Sequence, residues 1–123
     1  MATINSQIIL SGAGITSEPL LINHTSTLVV RNPAIESGTL NVTTTAATLV
    51  PTNASKVYLY ARNTGAINTA DSINIKTIGG TNIIELAPSD WCFLPIEQNL
   101  GLDVESVTAS GISTIEFSYF TAA

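Results

Sequence analysis

Reactive side chains are nearly missing from this chain. Its 123 residues include one histidine, one cysteine and one tryptophan. With Cys92 alone, no intrachain disulfide can form. Set between Trp91 and Phe93 in an apolar stretch, it reads as a small hydrophobe, with no neighbour in sequence to activate its thiol. His24 has no partner spacing that would support a Ser-His-Asp or Cys-His mechanism. Neither HxxxH nor CxxC occurs, and the glycine pairs lack the following helix and lysine that a phosphate loop needs. Enzyme is therefore the least favoured class, and no cofactor is expected.

Charge is equally scarce. Charged residues are 11 % of the chain, against roughly 25 % in an ordinary soluble domain. The net charge of −5 reflects few bases (Arg31, Lys56, Arg62, Lys76) more than many acids. No basic stripe is present, which argues against nucleic acid and against anionic membrane surfaces as partners. No apolar run approaches the ~20 residues of a membrane-spanning helix. The opening MATINSQIIL has neither the charged nor the apolar region of a signal peptide, so synthesis in the cytoplasm is expected. Thr, Ser and Asn stand where charges would be. Either they coat a β-rich surface, or part of that surface is covered by other subunits. Sequons at Asn23, Asn41 and Asn53 carry little weight without a secretory signal.

The second half holds the strand signals. Lys56–Arg62, Asp71–Ile78, Asn82–Ala87, Asp90–Ile96, Gly101–Val107 and Ile112–Phe120 are rich in β-branched and aromatic residues and bounded by turn formers. They predict an all-β, jelly-roll-like antiparallel β-sandwich. No segment has a sustained 3.6-residue apolar period, so no helix is predicted beyond a short turn near residues 97–100. Gly79-Gly80 predicts a tight turn between two strands, and Pro95 predicts a strand end or a sheet edge. Residues 101–107 and 112–120 read as a hairpin with Leu102, Val104, Ile115, Phe117 and Tyr119 on its core face. Val57, Leu59 and Ala61 share one face of their strand while Tyr58 and Tyr60 share the other. A strand apolar on both faces is either central and covered or part of a subunit interface.

Before residue 55 the apolar runs are short: 8–10, 20–22, 28–30 and 48–50. Residues 1–15 read as an N-terminal arm and 16–123 as one sandwich domain. An extended arm of that length reaches roughly 50 Å, enough to cross a neighbouring subunit. The interface candidates are Ile8, Ile9 and Leu10 in the arm, and Val57, Tyr58, Leu59 and Tyr60 in the two-faced strand.

Two further groups of side chains invite chemistry. In the predicted hairpin, Asp103, Glu105 and Glu116 share the outward face. A weak Ca²⁺ site, a glycosidase-like acid and base pair, or a solvated face meeting Lys or Arg would each account for them. Trp91, Tyr58, Tyr60 and Tyr119 pack a core or, if Trp91 points outward, form a carbohydrate-binding patch.

The elements Leu59-Tyr60-Ala61-Arg62-Asn63-Thr64-Gly65, Glu85-Leu86-Ala87-Pro88-Ser89-Asp90-Trp91, Phe93-Leu94-Pro95-Ile96 and Ile115-Glu116-Phe117-Ser118-Tyr119-Phe120 resemble the small virion structural proteins of tailed bacteriophages. The resemblance covers roughly residues 56–120. It implies a jelly-roll-like sandwich in a phage particle, decorating the head shell as a cement protein, and it brings no catalytic residues. The partners it implies are the major capsid protein or another virion protein, and the chain itself as a homotrimer. The location it implies is the virion. The alternatives are a carbohydrate- or receptor-binding module and a tail or baseplate component.

Overall fold

The described residues form nine strands: β1 (Ala2–Gly12), β2 (Leu20–Val42), β3 (Ala47–Val50), β4 (Val57–Asn63), β5 (Ile73–Thr77), β6 (Asn82–Leu86), β7 (Trp91–Ile96), β8 (Leu102–Ser106) and β9 (Ser113–Ala122). The computed structural model describes residues 2–14, 20–67, 70–108 and 113–123, without the side chains of 32–36.

From β2 onward the pairing is nested. β2 pairs with β9, β3 with β8, β4 with β7 and β5 with β6, all antiparallel. The body is thus one long hairpin folded about residues 77–81. There Gly79 takes φ +66° and the Gly80 amide donates to the Thr77 carbonyl at 3.0 Å. Rolling that hairpin sets β9 against β4 and β8 against β5. Two sheets result, β1-β2-β9-β4-β7 and β3-β8-β5-β6, the arrangement of a jelly roll. Strict alternation fills the space between them. Val57, Leu59, Ala61 and Ile115 point in from the first sheet and Ile73, Ile75, Leu102 and Val104 from the second, each at most 1 % exposed. The predicted all-β sandwich is the observed one.

β4 is central, and β7, which carries Pro95, is an edge strand with no ladder amide lost to a second neighbour. The predicted hairpin of residues 101–107 with 112–120 is not formed. β8 lies in the second sheet and β9 in the first, while the predicted turn at 108–111 falls largely outside the described residues. The assignment of core faces survives because Leu102, Val104 and Ile115 all point to the shared core, each from its own sheet. Residues 97–100 form a turn, with Asn99 at φ 62° and the Leu100 amide donating to the Glu97 carbonyl.

β2 does two jobs. Its C-terminal part pairs with β9, and its residues 20–30 pair with all of β1, Ala2 opposite Val30 and Gly12 opposite Leu20. The register with β9 shifts between Val30 and Ile35, at a segment where Pro33 can donate no hydrogen bond. Beyond that shift β1 and residues 20–30 form a two-stranded ribbon. Residues 2–12 are therefore extended, as an arm would be, but paired within the chain. Residue 15, the far end of the predicted arm, lies outside the described residues.

Candidate binding face

The outer face of the first sheet collects most of the aromatic side chains. Alternation along β4 turns Tyr58, Tyr60 and Arg62 outward because Val57, Leu59 and Ala61 are in the core. The register then fixes their neighbours: Tyr58 opposite Phe120, Tyr60 opposite Phe93, and Arg62 between Trp91 on β7 and Glu116 on β9. Tyr58 and Phe93 stack with ring planes 5° apart and centroids at 6.4 Å, and the Lys56 ammonium lies 5.1 Å from the Tyr58 centroid. The Tyr60 hydroxyl donates to Glu116 Oε1 at 3.2 Å. Burial, and after it the bond to and charge of Glu116, hold the Tyr60 phenol above its ordinary value.

Along the ribbon, Ala2, Ile4, Ser6 and Ile8 are half-buried while Thr3, Asn5, Gln7 and Ile9 are exposed. Its half-buried face lies over the aromatic sheet. A cavity of about 310 Å³ runs beneath it, walled by Ile4 and Ile8 on one side and Tyr60, Trp91, Phe93 and Phe120 on the other. A shallow, open depression lined by Tyr60, Arg62, Ser89 and Trp91 adjoins it. Tyr60 and Trp91 belong to both. The volume under the ribbon falls within the ~300–1,000 Å³ of small-molecule sites.

At the far end of the ribbon the apolar side chains leave the body behind. Leu10 and Ile22, cross-strand partners, are 48 % and 46 % exposed, and Ile9 and Leu21 are 57 % and 71 % exposed. Neither β1 nor residues 20–30 carries an Asp, Glu, Lys or Arg.

The candidates from the sequence divide accordingly. Ile9 and Leu10 stand at the exposed tip, and Ile8, Tyr58 and Tyr60 lie on or under the aromatic face. Val57 and Leu59 are in the core at 1 % and 0 % exposure, so they offer nothing to a partner. Trp91 points outward and is 54 % exposed. Cys92 beside it faces the core side, where burial pushes its thiol pKa up. The three carboxylates do not converge. Glu105 on β8 bonds Lys76 at 3.3 Å, Asp103 sits opposite Lys76 in the same sheet, and Glu116 is in the other sheet bonded to Tyr60. Among the described residues no three His, Cys, Asp or Glu side chains are placed to hold a metal ion. His24 lines the cavity under the ribbon.

Arg62, Ser89, Phe93, Phe120 and Ile4 are the site residues that sequence reasoning missed. Extending the Tyr58/Tyr60 alternation by one step would have placed Arg62 on their face.

A polar cluster closes the sandwich beside Arg62. Asn63, fully buried, donates through Nδ2 to the carbonyls of Asp71 and Leu86 at 3.0 Å each, and its Oδ1 accepts from the Gly65 amide at 2.9 Å. Asp71 accepts from the Ser106 hydroxyl, the Thr108 amide and the Ser72 amide. These bonds, that from Ser106 foremost, hold its carboxyl below the usual carboxylate range. Such a cluster fixes loops. Compared with models of protein families, with curated proteins and with solved structures, the chain matches none.

Proposed function

We propose that the protein is a structural component of a phage virion, a decoration protein that docks on the outer head shell through its ribbon tip. The observation that carries this reading is the tip itself. Ile9, Leu10, Leu21 and Ile22 are all about half exposed or more, on both faces of a ribbon with no charged side chain. An isolated two-stranded ribbon is marginal in water, and a patch apolar on both faces is stabilised when a neighbour covers it. Repeated many times over a shell, one modest apolar contact adds up through multivalency. The scarcity of charge elsewhere fits a surface that meets other subunits, and a trimer about a three-fold axis is the oligomer this reading favours.

The test is sedimentation of the purified protein with head shells assembled without it, beside its solution mass by light scattering. The wild type is expected to co-sediment and the double variant Leu21→Ser, Ile22→Ser to remain in the supernatant with an unchanged unfolding midpoint. Undiminished binding by the double variant would remove the tip from the interface and the reading with it.

A further inference from the structure

Trp91 is the chain's single tryptophan, and it points away from the core. It sits on an edge strand with more than half its surface open, at the junction of the depression and the cavity. Across the strand pair is Arg62, whose guanidinium has no hydrogen-bond or ion-pair partner among the described residues. Ser89 and the Tyr60 hydroxyl complete the wall. An open indole face flanked by a planar five-donor group and two hydroxyls suits a flat ligand with an apolar face and hydroxyls along its edge. The Glu116 carboxylate, one strand over from Arg62 and bonded to the Tyr60 hydroxyl, lies behind this wall without lining either the depression or the cavity. It sets the sign. With Glu116 in place and a net charge of −5, a ligand carrying a carboxylate or sulfate meets repulsion that a neutral one does not.

We infer that the groove from Ser89 to the underside of the ribbon binds a neutral saccharide, one hexose ring stacked on Trp91 and its hydroxyls held by Arg62, Tyr60 and Ser89. The cavity under the ribbon, with Ile4, Phe93 and Phe120 on its walls, takes the neighbouring sugar unit. The inference is independent of the tip, because Ile9, Leu10, Leu21 and Ile22 line neither the depression nor the cavity, so either can fail without the other.

The single tryptophan makes the test direct. Intact protein is titrated with neutral trisaccharides of glucose, galactose and mannose, and with a uronic acid trisaccharide, while Trp91 emission is recorded. At least one neutral probe is expected to give a saturable change in emission. Arg62→Ala, which keeps the fluorophore, is expected to weaken that probe roughly tenfold or more. Trp91→Ala, followed by calorimetry, is expected to abolish binding, whereas the tip variant Leu21→Ser, Ile22→Ser binds as the wild type does. Absence of any saturable change with the neutral probes would overturn the proposal. So would binding of the uronic acid probe alone, or an affinity untouched by Arg62→Ala.

Discussion

Asn63 is a polar side chain at zero exposure whose amide has a partner for every atom it presents: two carbonyls for the nitrogen and one amide for the oxygen. Removing it leaves those backbone groups buried and unmatched, so Asn63→Ala is expected to cost about 2–4 kcal/mol, read from urea unfolding. Its neighbour Asp71 couples the same loops to pH. Because its folded pKa lies below the unfolded value of 3.8, its contribution is complete above the unfolded value and is lost as pH falls through the folded one. Between about pH 5 and about pH 2 the wild type should lose more stability than Asp71→Asn, and parallel loss in the two proteins would exclude Asp71 as a source of acid sensitivity. Ser89 occupies the third position of the turn that begins at Ala87, at φ 77°, with the Asp90 amide bonded to the Ala87 carbonyl at 2.8 Å. That is a type II turn with serine where glycine belongs. The left-handed conformation costs an L-residue about 1–2 kcal/mol, and glycine loses about 0.5–1 kcal/mol more on folding. Ser89→Gly should thus raise stability by about 0.5–1 kcal/mol, seen as a higher urea midpoint.

Among the elements, β4 to β9 were legible as strands from β-branched and aromatic runs between turn formers, with clear alternation in β4, β5 and β8. The sequence reading of 56–62 against the observed Val57–Asn63, or of 82–87 against Asn82–Leu86, differs only at the ends. The long β2 was not legible as one strand. Its residues 20–30 lie in a ribbon with water on one side, so Ser, Thr and Asn occupy positions that a sandwich strand would fill with apolar side chains. Pairing was harder to read than faces. In a two-layer sandwich both inner faces look into the same core, so Leu102 and Ile115 carry the same inward signal whether they share a sheet or oppose each other. The site suffered similarly. The outward aromatics could be found by alternation, whereas the overlying ribbon depends on a turn of the chain that leaves no residue pattern. Where two elements meet closely, one position reports the fit. Gly101, buried just before β8, is a tight fit for a Cβ, which would displace the end of the Ile78 side chain and lie 3.0 Å from the Thr52 amide nitrogen. Gly101→Ala is expected to destabilise by about 1–3 kcal/mol, again read from urea unfolding. An unchanged midpoint would mean that the 51–56 loop yields freely.

For the molecule as a whole, cohesion comes from the apolar core and backbone ladders. Among the described residues one ion pair, Lys76 with Glu105, joins the elements. The thermal midpoint should therefore move by no more than about 2 °C between about 0.05 and about 1 M NaCl, and a larger shift would point to a charge network that this packing does not contain. The nested pairing has a further consequence for how the chain is made. Strands leave the ribosome in sequence order, but apart from the ribbon each meets its hairpin partner from the inside out: β5 with β6, β4 with β7, β3 with β8, and last β2 with β9. β9 lies between β2 and β4, so the first sheet stays open until the final ten residues of strand have emerged. Stalled chains ending before Ser113 should remain open to protease, and protection should arrive in one step once Ala122 is clear of the tunnel. Until β9 arrives, the sheet that carries the aromatic face is a slot without its middle strand.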